Sequence, residues 1–550
     1  MIPRCIRVSV PAIAVAVAAV VAGCGSSSSS TNGIQSQVNS PPAKGNLGNV
    51  TWDLPQGEPV PLDPTQDYNV SENQVLVNLC DQLMWVGPDF KIVPGLASSF
   101  SRPTPLTWVY NIRPGVKFWD GKPLTADDVL FSLNRQLGPT SFYFNPFGQM
   151  IASIKKTGPM QVTITTKRPN IIVNDMMASG MAVVTEKAFT EKAGKDYGTP
   201  STGVMCSGPF KFGKWVPGQQ LTIVRNPDYW NKSLVPKVQS VTFKFVTEST
   251  TITNALLSGE IDGTYDPPAS AVNRLQQTSA GKLYVGQGTN FAAFNPTTSE
   301  GWKHPPLLQA LSLAIDRSAL AKVAFSGSAS PQISPNVSPL EYPGGQQSVY
   351  DDYNKELENE PGFAKPDLEQ AKKLVAQAPK PSHPLTLVVP AGDTTANVLG
   401  TTIAAEAKSI GIPIKVVPLQ PADLSALFLS PDARKKYDAI LYLQFWTDIA
   451  DPLQHIAENY LPKSITNTTG YVPPPSIMNQ YNQAIAQNDS AKRAELTVTL
   501  DKQLSKQAVY VPLVYLPQRM FLNKRITGPA ASFPYVMHYP WATTLGAPAG

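Results

Sequence analysis

The stretch that decides the fold is Leu106–Gln136, LTWVYNIRPGVKFWDGKPLTADDVLFSLNRQ. Thr107–Ile112 has the aromatic and β-branched content of a strand. Pro114-Gly115 ends it, and Val116–Trp119 is short and extended. Asp120-Gly121 is the dipeptide of a tight hairpin turn. Thr125 stands where a helix N-cap belongs, and Asp128, three residues on, takes the place of the acid in a capping box. Val129, Leu130 and Leu133 give the following helix an apolar face. Asp120, Asp127 and Asp128 need no catalytic role, because turn and cap positions account for them.

Outward from this stretch, 550 residues allow two to four domains with substantial cores. Hydrophobic residues make up 42% and charged ones only 15%, with 53 prolines, which suits a rigid, loop-rich exported protein. The N-terminus reads as an export signal. Arg4 and Arg7 form a basic start, and Val8–Val21 is an apolar run too short to span a membrane comfortably. Losing residues 1–23 with those two arginines would lower the net charge from +5 to +3, too little to imply nucleic acid. Residues 25–49, GSSSSSTNGIQSQVNSPPAKGNLGN, lack the apolar content of a core and read as a flexible tether.

The body is expected to begin with a strand at Val50–Asp53, then a helix from Ser71 to Trp85 with Val75, Leu79 and Leu83 on one face. Residues 140–200 look strand-rich, with QVTITT at Gln161–Thr166 alternating at period two. Between 385 and 446 strands and helices alternate: strand Leu385–Val389, helix Thr395–Ile410, strand Ile412–Val417, helix Ala422–Leu429, strand Tyr437–Phe445. That pattern implies βαβ crossovers on a parallel sheet. Helices near 476–487 and 490–507 follow, then strands near 509–515 and 518–523, then an irregular tail.

Several motifs carry a family resemblance. RPGVKFWDGKPLTADDV at 113–129 is similar to the hallmark of the large peptide-binding proteins that serve ABC importers, solute-binding protein family 5. IVPGLA at 92–97 resembles the family's lead into that hallmark, GVMCSGPFKF at 203–212 its G-T-G-P-Y-K-F loop, and RNPDYW at 225–230 its R-N-P-x-Y-W. GEID at 259–262 and NFAAFN at 290–295 also match. Leu307–Ala324 resembles R-x-A-L-x-x-A-I-D-R, with Leu308 in place of the arginine and Asp316-Arg317 expected as a helix cap and local ion pair. The resemblance covers about residues 50 to 526. VAGC at 21–24 resembles a lipoprotein lipobox, with Val21 where leucine is usual, so Cys24 would carry the lipid. Of the four cysteines, Cys5 lies in the leader. Cys80 and Cys206 then either bridge, as an oxidising compartment favours, or stay as two buried thiols.

The resemblance implies an α/β protein of the two-lobe periplasmic-binding-protein type II fold with an inserted subdomain. Lobe I would comprise 50–290 and 515–550, with the insert near 87–200; lobe II would comprise 291–514. It implies a monomer that captures short peptides in an interlobe cleft and delivers them to a permease and its ATPase, with no cofactor and no catalysis. HExxH, GxSxG and P-loop motifs are absent, and the four histidines are scattered. In FWTDIADP (445–452), Asp448 matches the aspartate that accepts the ligand's α-ammonium, or else caps a turn; Asp451 reads as a turn residue. Phe445 and Trp446 would wall a side-chain pocket. Gly288–Asn295, with Asn290 and Phe291, and the loop Gly203–Gly208, with Ser207, would offer backbone edges to an extended peptide. Arg434 would pair the ligand carboxylate, or else be a solvated charge in DARKKYD. The same fold could take heme, a nickel chelate or another small solute. From other classes, the alternatives are a secreted hydrolase or a surface lipoprotein without a transport partner.

Overall fold

The computed structural model describes residues 37–66, 70–87, 89–144, 148–334, 346–363, 365–445, 449, 451–462, 464 and 466–549. The expected tether is tied down well before residue 49. Gln37 bridges to Val285, Asn39 to Ala530 and Gly45 to Ala547, and Ser40 Oγ donates to Pro529 O at 2.7 Å. A polar run without a core of its own can still be ordered when its backbone groups find partners on the body. Strand β1 (Leu47–Asp53) follows.

The helix expected over 71–85 ends early, at Val70–Leu79. Gly208 donates to Leu79 O at 3.0 Å, and Gln82 bridges to Val183, so the backbone after Leu79 is already engaged. Gly95 lies so close that a Cβ there would fall 2.5 Å from Gln82 O. β2 (Met84–Val86) and β3 (Ile92–Pro94) form a two-stranded ribbon.

The deciding stretch sits in a four-stranded antiparallel sheet. β4 (Ala97–Thr104), β5 (Thr107–Ile112), β6 (Ile151–Gly158) and β7 (Gln161–Thr166) run in the order β4-β5-β7-β6. Trp108, Tyr110 and Ile112 of β5 alternate inward, as do Val162 and Ile164 of β7. The Asp120-Gly121 turn forms, with Phe118 N–H bonded to Lys122 O at 2.9 Å and Gly121 at φ +91°. The helix Ala126–Arg135 is boxed as expected. Asp128 Oδ2 accepts from Thr125 N–H (2.9 Å) and Oγ1 (2.7 Å), while Oδ1 accepts from Lys187 N–H. After β7 the expected strand-rich segment turns mostly helical, with short helices at Val173–Met176 and Lys187–Ala193.

β8 (Phe210–Val216), β9 (Gln220–Arg225), β10 (Val238–Lys244) and β11 (Gly263–Tyr265) join β1 in one half of the main sheet. The long β12 (Gly281–Pro296) carries the sheet onward. β13 (Ser330–Pro331), β14 (Leu385–Pro390), β15 (Ile414–Leu419), β16 (Ala439–Phe445) and β17 (Val511–Asn523) complete it. The order is β15-β14-β16-β12-β17-β11-β1-β10-β9-β8, with β13 on β17. β14, β15 and β16 are mutually parallel, as the alternation of strands and helices predicts.

The two strands expected at 509–515 and 518–523 are one thirteen-residue strand. Its prolines do not break it, because each falls at a register shift with β12. Gly286 faces Gln518 and Asn290 faces Leu516, so Pro517, which has no N–H, sits opposite a bulge; Pro512 lies at the second shift. Leu307–Ala324 is two helices, Pro305–Ala314 and Arg317–Phe325, the second capped by Asp316, which accepts from Ala319 N–H at 2.8 Å. Arg317 does not ion-pair with Asp316. It is fully buried, and its guanidinium donates to the carbonyls of Gln332, Pro512, Ser312 and Gly362 and to Ser312 Oγ. Five available carbonyl and hydroxyl acceptors outweigh one neighbouring carboxylate.

Candidate functional site

A cavity of about 440 Å³ opens where β12 and β17 run side by side through the main sheet. That is a volume typical of small-ligand pockets. Asn290, where β12 resumes its register after the bulge, and Pro517 both line the cavity. Tyr515 OH clamps the bulge, accepting from Gly288 N–H (3.0 Å) and donating to Gly288 O (2.6 Å). The walls are largely apolar, with Leu516, Pro517, Phe428, Ile440, Leu441 and Pro268 among them.

Among the described residues, four charged side chains line the cavity: Asp266, Asp393, Glu458 and Arg519. Asp266 follows β11 in the left-handed region, at φ +49°. Its N–H donates to Arg519 O at 2.9 Å and its Oδ1 accepts from Arg519 N–H at 3.4 Å, so the strained residue is pinned to β17. Burial raises its carboxyl, and the Arg519 charge opposes that. Asp393 caps the helix Thr394–Ser409, accepting from Ala396 N–H at 2.9 Å; burial raises it too. Arg519 is 8% exposed, and its Nε and Nη1 have no hydrogen-bond partner among the described residues. Burial lowers the guanidinium, while Asp266 and Asp393 pull it back up. Glu458 Oε1 accepts from Gln454 Nε2 at 2.5 Å.

Of the residues expected from sequence, Asn290 lines the cavity, and its Oδ1 is buried without a hydrogen-bond partner among the described residues. Phe291 points to the opposite face, as strand alternation requires. It packs against His455 and Tyr510, at ring distances of 5.3 and 6.3 Å. Phe445 pairs with Phe291 in the ladder. Trp446 and Asp448 lie outside the described residues, as does Cys24. Asp451 caps the helix Pro452–Tyr460 and accepts from Leu453 N–H.

Three expectations are displaced. Gly288–Asn295 is no free edge, because β12 is hydrogen-bonded to β17 on one side and to β16 on the other. The loop Gly203–Gly208 gives its backbone to the body: Met205 O accepts from Glu186 N–H, and Cys206 O from Trp119 N–H. Ser207 turns into the core and donates to Asp81 Oδ2 at 2.8 Å. Asp81 also accepts from Tyr229 OH (2.7 Å) and Trp230 Nε1 (2.9 Å), so both aromatics pack. Next to it Cys80 and Cys206 form a disulfide with Cα atoms 4.9 Å apart. Arg434 ends a short helix and reaches Phe428 O at 3.4 Å, outside the cavity lining.

Sequence reading missed Arg519, Asp266, Asp393 and Glu458. The one available signal was Arg519 itself, a lone charge in the apolar strand VPLVYLPQRMFLN. Among the described residues no three His, Cys, Asp or Glu side chains gather as a metal site, and no helix is long and apolar enough to cross a membrane.

The chain is 30% identical over 287 residues to the glutathione-binding protein GsiB of Pectobacterium atrosepticum, a match covering 51% of this chain and 54% of that protein. It thus spans about half the length of that relative. It is 24% identical over 498 residues to the dipeptide-binding protein DppE of Bacillus subtilis, covering 86% of this chain and 88% of that one. The fold matches the solved structure of the binding protein AgaA with agropinic acid from A. tumefacien R10. The TM-score is 0.78 at 24% identity, over 92% of this chain and 99% of that one. Residues 91–467, more than half of the chain, match the model of the bacterial extracellular solute-binding proteins, family 5. The protein therefore belongs to bacterial extracellular solute-binding protein family 5.

Proposed function

We propose that this chain captures short peptides in the cleft beside β12 and β17 and delivers them to an ABC permease with its ATPase. One observation carries the ligand class: an apolar cavity of about 440 Å³ holds recessed charges of both signs, Arg519 with Asp266, Asp393 and Glu458. A zwitterion with an apolar body is the solute such walls suit. The glutathione- and dipeptide-binding relatives support the same class. Lobe I (50–290 and 515–550) and lobe II (291–514) meet where β12 and β17 run through the sheet, the natural place for a hinge. Asp448 takes the peptide's α-ammonium. Cys24 carries the lipid that keeps the monomer at the extracytoplasmic face of the membrane.

Native mass spectrometry of the purified protein tests the ligand class. Short peptides of mixed sequence are the expected passengers; heme or a metal complex alone overturns the reading. Asp448→Ala should weaken binding of free-amine peptides by about 10- to 100-fold, the effect of losing one charge-assisted hydrogen bond. Calorimetry that finds unchanged affinity removes Asp448 from the site.

A further inference from the structure

We propose that the hydroxyl of Tyr515 is a hinge clamp. It pins the bulge of β12 where the chain crosses between the lobes, and so limits how far the empty lobes swing apart. The inference rests on the lobe division given above and deepens it by naming the pivot and the group that restrains it.

By that division the chain crosses between the lobes at 290–291 and at 514–515. The two crossings lie side by side in one ladder, with Phe291 opposite Tyr515 and Asn290 opposite Leu516. On the lobe I side, each residue from Gly281 to Gly286 pairs in turn with one from Asn523 to Gln518. On the lobe II side, β12 gains a second partner, β16, from Phe291 onward. Between these stiff stretches the ladder is broken. Gln287, Gly288 and Thr289 stand opposite the single residue Pro517, which has no N–H to give. A few residues freed from a ladder, between two segments held by theirs, are where a hinge takes up its change in φ and ψ. Gly288 is the residue best able to do so.

In place of ladder bonds, Tyr515 supplies a side chain. Its OH accepts from Gly288 N–H at 3.0 Å and donates to Gly288 O at 2.6 Å. Both bonds go to the backbone of the middle residue of the bulge, so one hydroxyl fixes that residue against β17. The fit is to bare backbone: a Cβ on Gly288 would lie 3.1 Å from Gln518 N and from Leu516 O. Tyr515 and Gly288 lie outside the cavity lining, so the clamp acts on lobe motion rather than on the ligand. A second observation comes from the next residue. Thr289 is buried, and its Oγ1 has no hydrogen-bond partner among the described residues. A sealed hydroxyl without a partner costs free energy in this form, and a swing of β12 that admitted water would relieve it. The clamp opposes that swing.

The test uses the full chain with one spin label on each lobe, at Lys214→Cys and Lys408→Cys, both exposed positions. Electron–electron distance measurements are made on the ligand-free protein. Tyr515→Phe, which keeps the ring and removes the hydroxyl, should broaden the distribution toward longer distances. Its affinity for a mixed-sequence tripeptide pool should fall about 10-fold, because the closed form becomes a smaller fraction. Distances unchanged by Tyr515→Phe overturn the clamp, whether or not the melting temperature drops, since a merely structural tyrosine would move only the latter. If neither protein binds the peptides, the peptide reading falls and the distances still decide the clamp. Hydrogen exchange of the ligand-free wild-type protein needs no variant to fold. The amides of 287–289 should exchange faster than those of 281–286, and uniform exchange along β12 overturns the hinge.

Discussion

Asp53 ends β1 with its side chain fully buried; Oδ1 accepts from Val246 N–H at 3.1 Å, and Oδ2 has no hydrogen-bond partner among the described residues. Burial pushes its carboxyl from the usual 3.8 up to about 8, against two backbone hydrogen bonds that lower it. The folded chain therefore binds this proton more tightly than the unfolded chain. Stability from this group is greatest below pH 3.8 and falls as the pH rises toward 8. Asp53→Asn keeps an acceptor for Val246 and removes the charge. It should raise stability at pH 8 by a few kcal/mol, of order 2–5, and flatten the profile between pH 4 and 8. Urea unfolding at both ends of that window checks it; a variant with the wild-type slope assigns the pH dependence elsewhere. What was legible at this scale was local. Thr125 and Asp128 are three residues apart, so their box could be read directly from the sequence. Arg519 faces Asp266 and Asp393, far away along the chain, so nothing near it announces a site. Arg434, the cation expected to pair the ligand carboxylate, lies outside the cavity lining in the folded chain.

Among elements, the disulfide joins the end of the helix Val70–Leu79 to the loop before β8, closing a span of 126 residues. Chain entropy alone assigns about 5 kcal/mol to a loop of that length, and removing native bridges typically costs about 2–5 kcal/mol. Replacing Cys80 and Cys206 with serine should lower the urea midpoint accordingly, with the Asp81 bonds to Tyr229 and Trp230 keeping the local packing. An unchanged midpoint would mean that the bridge does not restrict the unfolded chain. Periodicity read some elements to the residue: Gln161–Thr166 and Ser490–Gln507 fall where the pattern puts them. It failed where another segment decides the boundary. The helix from residue 70 stops at Leu79 because Gly208, remote in sequence, takes that carbonyl. β17 runs through Pro512 and Pro517 because β12 shifts register opposite them, and no window on 511–523 contains that information.

For the whole molecule, the hallmark stretch and the alternation after residue 385 made the architecture legible, and the solved relative shares it. The coupling between its parts was not, since it depends on side chains that meet only in the folded chain. Asp175, on the short helix Val173–Met176 beside the four-stranded sheet, comes near Asp451 and Arg493, which belong to the helices beyond β16. Ile171 N–H donates to Ile485 O at 2.8 Å across the same contact. Burial, then the Asp451 charge, push the Asp175 carboxyl up to about 7, and Arg493 opposes them. Arg493 Nη1 lies 3.9 Å from Asp451 Oδ2, so that cation is shared. Tyr110, whose OH donates to Asn174, and Tyr481, near Asp451, face the cluster as neutral phenols, because burial raises both. If the two parts separate, Asp175 returns to water and to a carboxyl near 3.8. The apposed form then binds more protons than the separated one. Apposition is favoured most below pH 3.8 and loses this support as the pH climbs to about 7. Small-angle scattering of the ligand-free protein should show a larger radius of gyration at pH 7.5 than at pH 4.5. Asp175→Asn, neutral at both, should hold the smaller value throughout. A variant that expands with pH as the wild type does would mean that this cluster does not govern how the two parts meet.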